Sequence, residues 1–253
     1  MGQDTMKGQV ALVTGAGNGI GRAIAERLAA AGAIVGVNDL TAELAHRGVA
    51  TIRAQGGRAF PVVQNIARRD GATAAVAQAC EYGGRLDILV NNAAWVRYQA
   101  LPDVADDTVD RMLDIGFKAV IWGMQAAAER MDTSRGGAIV NVSSMVAFRS
   151  PSRTIVYSGI KSGMLGITRA AAAELGARNI RVNAVCPSAI PTEGTQRLRD
   201  PARDARRAAL TPLGRLGTPQ DIADAVCFLA GPQSGFVTGQ ALLVDGGITQ
   251  SDL

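Results

Sequence analysis

Two residues four apart, Tyr157 and Lys161 in the run YSGIK, have the types and spacing to move a proton. On a helix, positions i and i+4 share a face, so the ammonium sits beside the phenol. A free tyrosine ionises near pH ~10 and is a poor base at neutral pH; a neighbouring cation favours the phenolate and lowers that value. Taken alone, such a pair reads more simply as two exposed neighbours on a helix. A second stretch, TGAGNGIG over residues 14–21, could hold an anion. Its glycines keep a GxxxGxG spacing through Gly15, Gly19 and Gly21, while GxGxxG fails because position 20 is Ile20. A strand-to-helix turn of this kind lets the backbone approach a pyrophosphate at the helix N-terminus, which makes Gly15, Gly17, Asn18, Gly19 and Ile20 cofactor-binding candidates. Asp39 stands twenty residues after Gly19 at the end of the next apolar run. A carboxylate there accepts hydrogen bonds from adenosine ribose hydroxyls and repels a 2′-phosphate. Capping the following helix is its other possible use.

The elements that position these groups follow from the alternation of apolar runs and Ala-rich segments. Strands are expected at 10–14, 34–38, 60–64, 86–91, 138–143, 181–186 and 241–245. Most are nearly continuous apolar runs, which suits a parallel sheet covered on both faces. Helical stretches such as GRAIAERLAAAG and DGATAAVAQACEY lie between them. Strand–helix alternation without a break in composition predicts one doubly wound α/β Rossmann domain over residues 1–253, a mostly parallel seven-stranded sheet with helices on both faces. The stretch at about 188–218, rich in Pro and Arg, reads as an irregular substrate lid. Residues 193–207 carry five arginines against three acids; this is either a solvated face or a surface that meets an acidic substrate, and Arg97, Arg149 and Arg153 point the same way.

Taken together, TGAGNGIG, NNAA at 91–94, and a serine followed by YSGIK at 157–161 resemble the short-chain dehydrogenase/reductase family. The resemblance runs from about Lys7 to Gly247 and ends in VTGQALLVDGG. It implies that Tyr157 is the catalytic acid/base, that Lys161 also holds the nicotinamide ribose, and that Ser144 hydrogen-bonds the substrate oxygen. It places Asn91 and Ala93 beside the cofactor, with Asn92 bracing the sheet, and Asn65 and Ile66 around adenine, where Asn65 stands for the usual aspartate. CPSAIPT, residues 186–192, resembles the family's stretch after the sixth strand. Pro187, the backbone near Ile190 and the Thr192 hydroxyl would face the nicotinamide there, with Ser188 in place of a usual glycine.

Gly116 lies in the middle of a helix expected over about 107–130, at a local cost of roughly 1 kcal/mol relative to alanine. Close helix packing is the plain local reading. By the family resemblance the position usually holds a catalytic asparagine, whose role is to maintain a helix irregularity that lets a backbone carbonyl hold a relay water. Glycine keeps the carbonyl and permits the irregularity, so Gly116 is read as a substituted fourth member of the catalytic set.

The expected activity is NAD-dependent interconversion of a secondary alcohol and a ketone. The alternatives are an NADPH-dependent 3-oxoacyl thioester reductase, opposed by Asp39 and by the absence of a basic residue at position 18, and a nucleotide-binding regulator without catalysis. Other classes are disfavoured by composition. Arg and Lys are dispersed with no interleaved aromatics despite a net charge of +4, which argues against nucleic acid. Three scattered cysteines and one histidine make a metal site improbable and suit reduced thiols in the cytoplasm. No apolar run approaches a membrane span, and the N-terminus does not read as a secretory signal. The helices at about 107–130 and 154–177 are where a homotetramer, the usual family assembly, would form.

Overall fold

The computed structural model describes residues 5–194 and 200–251. Seven strands form one parallel sheet in the order β3-β2-β1-β4-β5-β6-β7. They are β1 Val10–Thr14, β2 Ile34–Asp39, β3 Arg58–Val63, β4 Ile88–Asn91, β5 Gly137–Val142, β6 Ile180–Pro187 and β7 Ala241–Val244. The order reverses between β1 and β4, and a ligand crevice opens outside the carboxyl ends of the strands at such a switch point. Thr14, Asp39, Asn91 and Pro187 all stand at those ends.

Helices α1 Gly19–Ala30, α2 Ala42–Ala54 and α8 Pro219–Ala230 cover one face. Helices α3 Arg69–Gly83, α5 Ala119–Arg130 and α6 Ile155–Leu175 cover the other. The alternation within β1 shows why both faces need apolar residues: Ala11 and Val13 join the first core, Val10 and Leu12 the second. With few aromatics, both cores close mainly on Ala, Val, Ile and Leu, so the layers approach tightly.

All seven strands lie where the apolar runs predict, with shifted ends. β4 begins at Ile88 rather than 86; Asp87, just before it, bonds Val10 and Ala138 through its backbone, and its carboxylate also accepts the Val10 N–H at 2.8 Å. The long central helix is three pieces: α4 Asp106–Leu113, a π-helical turn Asp114–Lys118, and α5. The 188–218 stretch is not irregular throughout, which corrects the sequence expectation. It contains α7 Pro201–Ala209, started by Asp200, whose carboxylate accepts the Ala202 and Arg203 N–H groups, and by Pro201 in the first turn. Residues 195–199 of the expected lid, including Arg197 and Arg199, lie outside the described residues.

Candidate active site

The glycine turn between β1 and α1 is shaped by close approaches. Gly15 adopts φ +62°, and a Cβ there would lie 2.9 Å from Ala93 Cα. A Cβ on Gly21 would lie 2.2 Å from the Gly15 carbonyl oxygen, so only glycine closes this turn. Asn18 precedes α1 without a capping side-chain bond, and the first turn carries no acid. The leading N–H groups of a helix have no intrahelical partner, and the positive end of its dipole favours an anion. Gly19 and Ile20 supply those groups, as a pyrophosphate requires.

Asp39 closes the same loop from β2. Its Oδ2 accepts the Gly17 N–H at 3.0 Å and its Oδ1 the Leu40 N–H at 2.8 Å. It does not cap α2, whose N-terminus is capped by the Thr41 hydroxyl. Asn92 donates from its side chain to the carbonyls of Thr14 and Gly15, at 2.9 and 3.1 Å, and so ties β4 to the turn. Asn65, exposed beyond β3, accepts the Ala67 N–H at 3.1 Å on the oxygen that the family resemblance directs at adenine. A carbonyl oxygen has a second lone pair, which leaves room for one more donor. Ile66 lines a small internal cavity with Asn91 and Ala93. These groups together fit a dinucleotide along the carboxyl edge of the sheet.

Asn91 is turned inward. Its amide donates to Asn141 Oδ1 at 2.9 Å, and Asn141, fully buried on β5, donates to the Thr168 hydroxyl on α6 at 3.0 Å. Thr168 in turn donates to the Met164 carbonyl at 2.7 Å. A buried polar chain therefore registers β4, β5 and α6 against one another.

That register sets the cluster of Ser144, Tyr157 and Lys161. Ser143 donates to the Lys161 carbonyl at 2.9 Å, while Lys161 Nζ donates to the Val142 carbonyl at 2.7 Å, so α6 is clasped to the end of β5 at two points. Ser144 follows in extended backbone and is buried; its hydroxyl accepts the Val146 N–H and lies near enough to the Tyr157 phenol to favour its ionised form. Lys161 Nζ lies 5.8 Å from the Tyr157 ring centroid and is itself buried. Burial pushes Tyr157 up to about 12, and Ser144 opposes the shift. Burial also pushes Lys161 down to about 8. The expected lowering of the phenol by Lys161 is therefore reversed here: loss of solvent dominates, and the ammonium is aimed at Val142 rather than at the phenol oxygen.

Gly116 is buried in the π turn, where the Ala119 N–H bonds the Asp114 carbonyl five residues back. A Cβ at Gly116 would meet Ile160 Cγ2 at 3.1 Å, directly beside Lys161 on α6. π turns interrupt α-helices frequently at functional sites. Packing and irregularity thus coexist at this glycine.

Beyond β5, Pro187 ends β6, Ile190 is buried, and Thr192 packs over Gly19, whose Cβ would lie 3.4 Å from it. Arg22 on α1 pairs with Glu193 at 2.8 Å, which ties the loop to the glycine-turn helix. Ser188 needs no left-handed backbone. Two site neighbours escaped sequence reasoning. Tyr98 stands edge-on to Tyr157 with centroids 5.9 Å apart, a contact between distant segments that no local pattern encodes. Cys186 reads as an ordinary buried strand residue, yet it faces Lys161 and Tyr157, and burial holds its thiol up at about 11.

A doubly wound sheet with this edge and this proton-transfer group defines an oxidoreductase that uses a nicotinamide cofactor. The chain belongs to the short-chain dehydrogenase/reductase family. A family model described as enoyl-(acyl carrier protein) reductase matches residues 15–249. The 3-oxoacyl-(acyl-carrier-protein) reductase FabG of Thermotoga maritima is 37% identical, with 96% of this chain and 98% of that protein covered. Cyclopentanol dehydrogenase of Comamonas testosteroni is also 37% identical, over 95% and 97% of the two chains. Among solved structures, a 7α-hydroxysteroid dehydrogenase complexed with NADH and 7-oxo glycochenodeoxycholic acid superposes with a TM-score of 0.92 at 35% identity, covering 96% of both chains. A Burkholderia cenocepacia short-chain dehydrogenase in complex with NADP gives 0.89 at 36% identity, covering 96% of this chain and 99% of that one.

Proposed function

We propose that this protein is a single-domain, NAD(H)-dependent dehydrogenase that interconverts a secondary alcohol and a ketone. The observation that carries this reading is the clasp that brings Ser144, Tyr157 and Lys161 together at the sheet's carboxyl edge. The cofactor supplies hydride exchange with the substrate carbon. The chain's own residues do the rest. Ser144 donates to the substrate oxygen. Tyr157 gives that oxygen a proton in reduction and takes one in oxidation, and a phenol held near 12 is protonated and ready to donate at neutral pH. Lys161, held beside the Tyr157 ring by the Val142 carbonyl, reaches the nicotinamide ribose. The Gly15–Ile20 turn carries the pyrophosphate, Asn65 and Ile66 flank adenine, and Asn91 and Ala93 form the floor. Pro187, Ile190 and Thr192 hold the carboxamide end, and the Gly116 π turn keeps a carbonyl available to the proton path.

Asp39 is the basis for NAD over NADP, since its carboxylate is fixed at the loop where a 2′-phosphate would lie. The cyclopentanol dehydrogenase supports a secondary alcohol as substrate, and the steroid dehydrogenase complexed with NADH supports NAD(H) as cofactor. The FabG relative, a 3-oxoacyl-(acyl-carrier-protein) reductase, and the NADP-bound Burkholderia cenocepacia structure favour a second one, NADPH-dependent reduction of a 3-oxoacyl thioester. Turnover of a panel of secondary alcohols and one 3-oxoacyl thioester with each cofactor separates the two. Exclusive thioester reduction with NADPH would sink the first reading, and no turnover of any of them would leave a non-catalytic nucleotide binder. We further propose a cytoplasmic homotetramer that buries the Ala-rich faces of α5 and α6; no described helix is long and apolar enough to cross a membrane. A monomer by light scattering would refute the assembly.

A further inference from the structure

The loop that leaves the carboxyl end of β4, residues 92–100, has no regular structure but is pinned along its length. Arg111 on α4 lies over the Trp95 ring, 4.3 Å from its centroid. Arg97 Nη1 donates to the Thr108 hydroxyl on α4 at 3.5 Å. The Gln99 amide donates to the Asp103 carbonyl at 2.5 Å, and the Gln99 N–H donates to the Arg153 carbonyl at 3.1 Å. Arg153 adopts φ +68° just ahead of α6, a left-handed backbone that a non-glycine residue keeps only where its surroundings fix it. The loop is thus tied to α4 on one side and to the start of the Tyr157 helix on the other.

Tyr98 is the exception within this loop. Trp95, Arg97 and Gln99 spend their side chains on the scaffold, whereas the Tyr98 ring meets the Tyr157 ring, with centroids 5.9 Å apart and planes at 78°. Tyr98 leaves 49% of its surface exposed, so it is not a core residue that happens to lie nearby. A pinned loop carries a half-exposed aromatic ring to the proton donor itself. Such a ring is a preformed apolar surface, and a ligand that packs on it does not have to order the loop first.

We infer that Tyr98 is a specificity-determining residue that packs against an aromatic ring carried on the reacting carbon of the substrate, which makes aryl carbinols and aryl ketones the favoured class. This rests on the dehydrogenase reading above. A substrate whose oxygen meets the Tyr157 phenol brings a substituent of its reacting carbon alongside the ring that touches Tyr157. Aromatic pairs gain from offset or edge-on geometry beyond the area they bury, and an alkyl group in the same place lacks that gain. Tyr98 takes no part in hydride or proton transfer, so its contribution falls on KM.

The test measures oxidation of 1-phenylethanol and 2-butanol by the full chain with each nicotinamide. The unaltered enzyme is expected to favour 1-phenylethanol by about tenfold or more in kcat/KM. Tyr98→Leu should cut this preference about tenfold through KM for the aryl alcohol, and Tyr98→Phe should keep it, with NADH binding by fluorescence titration alike in all three proteins. A second measurement needs no variant: 1-cyclohexylethanol, similar in size but without a π face, should show a KM several-fold above that of 1-phenylethanol. Equal KM for those two would overturn the aromatic contact, and so would a Tyr98→Phe enzyme that behaves like Tyr98→Leu. A preference that survives Tyr98→Leu would remove Tyr98 from the substrate. A matched loss of kcat for both alcohols, or weakened NADH binding, would make the residue a prop for Tyr157 and overturn the proposal. Turnover of 2-butanol without 1-phenylethanol would overturn it while the dehydrogenase reading stands. If neither alcohol turned over with either nicotinamide, both would fall.

Discussion

Gly17 donates its backbone N–H to Asp39 Oδ2 at 3.0 Å, so the acid at the end of β2 is built into the glycine loop. A Cβ at Gly17 would lie 2.8 Å from the same oxygen, so glycine is what lets the carboxylate sit this close to the loop. NADPH would have to bring its 2′-phosphate against a fixed negative charge. Asp39→Ser removes that charge and is expected to narrow the NADH preference by at least about tenfold, mainly through KM for NADPH. Comparable kcat/KM with both cofactors in the unaltered enzyme would defeat the premise.

Tyr157→Phe keeps the ring that packs against Tyr98 but removes the proton donor. Turnover should fall by about 10²–10⁴, with NADH binding by fluorescence titration changed little. Because burial holds the phenol up at about 12, alcohol oxidation should accelerate as pH rises towards that value, and ketone reduction should not. A flat oxidation profile between about pH 6 and about pH 10, with chemistry shown to be rate-limiting, contradicts phenolate catalysis.

Lys161 costs the fold stability. Its folded value of about 8 lies below the ordinary 10.5, so the unfolded chain binds the extra proton between those values and stability rises with pH across that window. Below about pH 8 the full cost applies, up to about 3 kcal/mol. Lys161→Met should therefore raise Tm at pH 7 and lose that advantage as pH approaches 10.5. Activity should be lost at both. An equal Tm shift at the two pH values would show that the effect is packing alone.

The π turn makes Gly116→Ala a test of geometry. Alanine favours regular helix by about 1 kcal/mol over glycine, but its methyl group must displace Ile160 by a few tenths of an ångström, next to Lys161. We expect kcat to fall several-fold with KM for NADH nearly constant. Gly116→Asn should change kcat less, since the family resemblance makes asparagine the usual residue there. Undiminished kcat in the alanine variant would reduce Gly116 to a packing residue.

The parts of this molecule that were legible in its sequence are those whose burial leaves a local pattern. Runs such as VALVT and AIVNVS announce strands covered on both faces, and the glycine turn announces itself by spacing. Helix α7 left no apolar stripe to detect, because PARDARRAA buries nothing and is held by its cap. The partnership of Tyr98 with Tyr157, and the facing of Cys186 towards Lys161, join residues far apart in sequence and depend on how loops close over the sheet. The direction of the Tyr157 shift was misjudged for a similar reason: spacing shows that an ammonium is near, but not where it points or how much water is left.

The chain from Asn91 through Asn141 to Thr168 constrains how this protein can change over generations. Each member satisfies the next inside the core, so an apolar replacement of one strands its neighbour without a partner, at about 1–3 kcal/mol. Changing all three together could be nearly neutral, but the single steps between are costly. A single apolar replacement at any of these positions is therefore costlier than replacing the three together. The exposed loops around Tyr98 carry no such chain, so substitutions there leave the framework holding Tyr157 in register as it is.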